Sequence, residues 1–66
     1  MEISVNGELQ RLVGGTTVAM LLDGMGLAGR RVAVEVNEAI VPRSEHERHV
    51  LRPGDRVEVV RAIGGG

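Results

Sequence analysis

The residues that most invite a chemical reading are Gly64, Gly65 and Gly66, which run off a stretch patterned as a β-strand and present a carboxylate. Glycine loses more backbone freedom on ordering than any other residue, so such a segment is costly to hold still. It is well suited to delivering a chain-end carboxylate. Fully extended, three residues reach roughly 10 Å. Without Cβ atoms they can enter a channel too narrow for any other residue type. Taken alone, the segment fits a frayed domain end equally well. The rest of the chain decides between the two.

Other patterns that could carry chemistry fail on their spacing. Gly24-Met25-Gly26-Leu27-Ala28-Gly29 matches the dinucleotide pattern G-x-G-x-x-G. That motif needs a strand before it and a helix N-terminus after it to meet pyrophosphate, and here a helical pattern precedes and a strand pattern follows. A helix C-cap leading into a loop is the expected structure. His46-Glu47-Arg48-His49 has its histidines at i and i+3 after a proline, whereas a zinc-protease helix needs them at i and i+4; a solvated pair is expected. Gly14-Gly15-Thr16-Thr17 lacks the lysine and loop length of a phosphate-binding loop. Asp23, Glu35, Glu38, Asp55 and Glu58 are scattered, with no spacing that argues for a catalytic pair. Cysteine, lysine and tyrosine are absent, so no metal site and no active site of the chain's own are expected.

Composition narrows the partners. Aromatic residues make up 0% of the 66 residues, which removes the stacking platforms of single-strand nucleic-acid binders. A formal net charge of -1 argues against a phosphate-backbone partner as well. No apolar run approaches the ~20 residues of a membrane span, and no charged-then-apolar leader is visible. The expectation is a cytoplasmic protein, monomeric when free, binding neither nucleic acid nor membrane. With 42% hydrophobic residues it has the makings of one small core.

The elements that must position the terminal glycines follow from periodicity. Met1, Ile3 and Val5 alternate with Glu2 and Ser4 as a half-buried strand. Asn6-Gly7 suits a two-residue type I′ hairpin, with a return strand over Glu8 to Val13 that Gly14-Gly15 ends. Thr16 or Thr17 is a helix N-cap candidate. Val18, Leu21, Leu22 and Met25 form one apolar helical stripe. Val32, Val34 and Val36 mark a third strand, and Ile40-Val41 a short one at whose edge Pro42 is tolerated. Ser44 to Arg48 reads as a surface turn or short helical piece. Pro53-Gly54-Asp55 turns the chain into a last strand from Arg56 to Ile63.

One helix must cover one face of a mixed sheet, because nothing else can bury both apolar surfaces. The arrangement expected is an α+β β-grasp fold. It has four to five strands, the N-terminal hairpin at the centre and the final strand parallel to the first. Residues 1–63 form the single domain and 64–66 a flexible tail. Its core should contain Ile3, Val5, Val18, Leu21, Leu22, Val34, Val36, Val57 and Val59. Alternation in the last strand places Val57, Val59 and Ile63 on one face and Glu58, Val60 and Ala62 on the other. An outward valine is usually incidental surface. Val60 and Ala62, with Arg61 between them, are instead candidates for docking a partner that receives the tail.

Val5-Asn6-Gly7-Glu8, Gly15-Thr16-Thr17-Val18 with Leu21-Leu22, Val36-Asn37-Glu38, Ile40-Val41-Pro42-Arg43, Gly54-Asp55 and Arg61-Ala62-Ile63-Gly64-Gly65-Gly66 occur in that order. In this order and length the chain resembles the ubiquitin-like sulfur carrier family of thiamine biosynthesis, ThiS. Members often carry an aromatic residue shortly after the Pro-Arg pair, where this chain has His46. The resemblance implies a carrier and not an enzyme. An ATP-dependent, ThiF-like activating enzyme would adenylate the Gly66 carboxylate, ATP serving that partner and no cofactor being held permanently. Sulfur from a source such as a cysteine desulfurase would displace AMP and leave a thiocarboxylate. A ThiG-like thiazole synthase would accept the sulfur, with Gly64 and Gly65 supplying reach. Related roles stay open: the small subunit of molybdopterin synthase, a carrier for cysteine synthesis or tRNA thiolation, and a β-grasp interaction module with an inert tail.

Overall fold

A computed structural model describes residues 1–61 of the chain. Strands β1 (Glu2–Val5) and β2 (Glu8–Arg11) form the first hairpin, followed by helix α1 (Val18–Gly24), β3 (Val32–Val36), β4 (Ala39–Val41), a 3₁₀ turn (Arg43–Glu45) and β5 (Arg56–Arg61). The five strands make one mixed sheet in the order β2-β1-β5-β3-β4. β5 runs parallel to β1, pairing Ser4 with Arg56 and Val5 with Val57, and antiparallel to β3 from Val32–Arg61 to Val36–Val57. This is the β-grasp architecture read from the periodicity. The hairpin, however, is not central: β2 lies at the edge and β5 takes the middle. β1 has only one free ladder edge once β2 is paired, and β5 fills it.

The local signals explain each element. Asn6 and Gly7 both have positive φ, 51° and 84°, as a type I′ turn requires. β2 stops at Arg11, two residues short of the expected Val13. The reason is that the Val13 carbonyl turns inward to accept both the backbone N–H (3.3 Å) and the hydroxyl (2.7 Å) of Thr16. Thr17 is the N-cap, its hydroxyl accepting from the Met20 N–H at 3.1 Å. Further helix N–H groups are met from outside the helix. Val18 donates to the His49 carbonyl (3.0 Å) and Ala19 to the His46 carbonyl (2.9 Å), so two donors that a helix leaves open are satisfied.

At the other end of α1 the glycine-rich run does what its order predicts. Leu27 N–H reaches back to the Leu22 carbonyl (2.8 Å) and Gly26 N–H to that of Asp23 (3.0 Å), the paired bonds of a Schellman cap. Gly26 supplies the left-handed residue, φ 75°. Leu27 is partly buried against the core cluster that contains Leu22, the kind of apolar contact that accompanies this cap. No nucleotide-binding geometry is present in this segment.

All nine expected core residues are buried, and Val41 and Leu51 join them. Leu51 is brought in by its own N–H, which bonds the Thr16 carbonyl at 2.8 Å. His46 corrects an expectation: it is not solvated but only 8% exposed, with Nε2 3.1 Å from the Val41 carbonyl. A flat ring with one polar edge can pack apolar atoms and still satisfy its nitrogen. His49 is half-buried. Among the described residues no cluster of three or more metal-ligating side chains occurs, and no helix is long and apolar enough to cross a membrane.

Candidate functional site

Everything that leads to the terminal glycines passes through β5, and this strand is held from both sides. On one side Asn37, also left-handed at φ 53°, grips its start. The Asn37 backbone N–H donates to the Arg56 carbonyl (2.7 Å), its Oδ1 accepts from the Arg56 N–H (2.9 Å), and its Nδ2 donates to Asp55 Oδ1 (3.0 Å). On the other side Asn6 reaches further along. Its backbone N–H donates to the Val57 carbonyl (2.9 Å), while its Oδ1 accepts from the Val59 N–H (2.8 Å) and its Nδ2 donates to the Val59 carbonyl (3.3 Å). Asn6 was legible as a turn former, and Asn37 sits in the turn between β3 and β4. Their side-chain bonds were not legible, because the partners lie far away in the sequence.

The helix covers one face of the sheet and leaves the other open. Val60 is 60% exposed on that open face, directly opposite exposed Ala33 of β3. Val59 and Val57 turn the other way into the core, as alternation requires. Around Val60 and Ala33 the surface forms a shallow depression also lined by Arg31, Arg43 and Arg61. None of these three arginines forms an ion pair among the described residues; Arg11, Arg48 and Arg56 do, with Glu2, Glu45 and Glu38. The result is an apolar centre with a basic rim at the end of β5 that leads to residues 62–66. Of the expected site residues, Val60 and Arg61 are together here. Ala62, Ile63, Gly64, Gly65 and Gly66 lie outside the described residues.

Arg31, Ala33 and Arg43 were not anticipated. The available signal was register: an antiparallel β3–β5 pair brings Ala33 beside Val60, and alternation puts Arg31 on the same face. Arg43 opens the 3₁₀ turn after β4 and had no such signal. Exposed large apolar residues also occur at Leu9, Val13, Met20, Ile40 and Val50, so exposure alone does not single out Val60. Its basic surroundings and its place near the end of β5 do.

One helix gripped by a mixed sheet, with the last strand central and parallel to the first, defines the ubiquitin-like β-grasp class. Within that class the chain belongs to the ThiS family, which it matches over residues 3–66. It is 30% identical to the sulfur carrier protein ThiS of Escherichia coli, the match covering all of both chains. It is 47% identical to a thiazole synthase of Magnetococcus marinus over all 66 residues, which are 20% of that protein. A thiazole synthase of Paramagnetospirillum magneticum gives 41% over the same share. The chain thus spans about a fifth of the length of these two relatives. The crystal structure of the thiamine biosynthesis protein ThiS from Geobacter metallireducens superimposes with a TM-score of 0.84 at 29% identity, covering both chains completely.

Proposed function

We propose that this chain is a sulfur carrier for thiazole formation in thiamine biosynthesis, acted upon by enzymes and not itself one. The observation that carries this reading is the end-to-end match to the Escherichia coli sulfur carrier, which runs through residue 66. The chemistry falls to Gly66. A carboxylate is a poor electrophile because resonance and negative charge repel nucleophiles. An adenylating enzyme of the cytoplasm uses ATP to make it an acyl-adenylate, with pyrophosphate released. The terminal sulfur of a persulfide, mobilised by a cysteine desulfurase, then expels AMP to give an acyl disulfide. A thiol reduces this to the thiocarboxylate, leaving as a disulfide with the former persulfide sulfur. The thiocarboxylate is ionised at neutral pH and is a strong nucleophile toward the intermediate held by thiazole synthase.

Support for thiazole synthase as the recipient comes from the two relatives of that name. Each carries a region like this chain within one polypeptide. In this reading Gly64 and Gly65 let the carboxyl group reach a buried site, and Val60 and Arg61, with Ala62 next in the sequence, are docking residues, Arg31 and Arg43 completing the basic rim. ATP belongs to the activating partner.

Mass spectrometry tests the proposal directly. With the adenylating enzyme, ATP and a sulfur source, the protein should gain the mass of one oxygen replaced by sulfur, and fragmentation should place it on Gly66. Adding one residue after Gly66 should abolish the product. Equal sulfuration of the extended chain would sink the carrier reading.

A further inference from the structure

The parallel ladder between β1 and β5 is short, pairing only Ser4–Arg56 and Val5–Val57. At Asn6 the chain turns away from β5 into the hairpin, and the ladder should end there. It continues for one more rung through a side chain. A carboxamide carries the same donor and acceptor as a peptide group. The Asn6 carboxamide uses both on the two backbone groups of Val59, at 2.8 and 3.3 Å. The type I′ turn does not require this. Positive φ at residue 6 is equally available to glycine, which could make no such bond. The extra rung falls on the last inward-facing valine before the docking residues.

We infer that Asn6 is a positioning residue for the reaction at the chain end: its side chain fixes the direction of β5 at Val60 and Arg61, where the strand ends. This rests on the carrier reading proposed above. Val59 is the last rung held from the β1 side, whereas Val60 and Arg61 are paired only across to Ala33 and Val32 of β3. A strand held on both sides up to Val59 has one direction of exit. Held on one side only, it can twist about the β3 ladder and change the direction in which the chain leaves Arg61. Misplacement of about 1 Å is enough to lower a rate on the order of 100-fold. Asn37 provides the comparison within the same molecule, because it grips β5 by the same chemistry at Arg56, remote from the exit.

The test compares Asn6→Gly with Asn37→Gly, both at positions whose positive φ glycine accepts. Adenylation is followed by ATP–pyrophosphate exchange with the activating enzyme, and amide hydrogen exchange is followed by NMR on the free chain. In Asn6→Gly the Val59 amide should exchange on the order of tenfold faster or more, with Val34 still protected, since opening is local. Its kcat should fall roughly 10- to 100-fold at unchanged KM, because Val60 and Arg61 stay paired to β3 and Arg31 and Arg43 are not touched. Asn37→Gly should keep kcat. Equal kcat losses in the two variants would mean general loosening and overturn the inference, as would an unchanged kcat in Asn6→Gly. Should Asn6→Gly fail to fold by circular dichroism, Asn6→Asp takes its place. It keeps the turn and sets a carboxylate against the Val59 carbonyl, so a wild-type kcat there overturns the inference too. A wild-type chain that is never adenylated overturns the carrier reading and the catalytic half of this inference together; the exchange measurement reads the clamp alone.

Discussion

Leu21 lies under the sheet at 4% exposure, on the stripe with Val18 and Leu22. Truncating it to alanine removes apolar contacts that a chain this small cannot replace by collapse. Leu21→Ala should destabilise by about 2–5 kcal/mol in urea denaturation; a change well below 1 kcal/mol would contradict this packing. Single residues also show where the sequence was readable. The nine core residues stood out because each lies on a strand of period two or a helix of period 3.6. Leu51 and Val41 were overlooked because their segments are too short to display a period. His46 was misjudged because its neighbours Glu45, Glu47 and Arg48 are polar, and nothing local reveals that the chain folds its ring beneath Val41. The carboxamide bonds of Asn6 were hidden for a related reason, Val59 being 53 residues away.

At the scale of elements, two glycines at the C-terminal end of α1 offer opposing expectations for one substitution. Gly24 closes the helix without positive φ and has nothing within 4 Å of an added Cβ. Gly24→Ala should therefore stabilise by about 0.4–1 kcal/mol, mainly by restricting the unfolded chain. Gly26 has equally open space but φ 75°, and Gly26→Ala should destabilise by about 1–2 kcal/mol. Thermal melts of the pair decide whether the Schellman cap is correctly placed; equal signs would refute it. β3 and β5 contribute a second expectation. Exposed Glu35 and Glu58 stand directly opposite each other, and like charges so placed are destabilising. Glu58→Gln should gain roughly 0.2–1 kcal/mol at low ionic strength, a gain that shrinks as salt screens the pair. Equal gains at low and high salt would show that repulsion is not the cause.

Across the whole molecule, one sheet face supports the helix and the other is open, with Val60 exposed on it. Val60→Asp places a charge in the apolar centre of the basic-rimmed depression without touching the core. It should leave the denaturation midpoint unchanged and lower the adenylation rate; if neither moves, the docking face lies elsewhere. The fold as a whole was legible because a single helix and five apolar strand segments admit few layered solutions. Strand order was less so, since no local pattern says which strand takes the middle. That middle position governs how the molecule is made. β5 is the last described element in the chain, and its partner β1 is the first, so the sheet cannot close before β5 has been made. Pairings of such long sequence separation make folding slow compared with helical proteins. They also tie folding to completion: a ribosome that stops before β5 releases a chain with no central strand. Any chain that folds has therefore been made through Arg61, so on the carrier reading proposed above an activating enzyme that binds only folded protein meets few chains broken before β5.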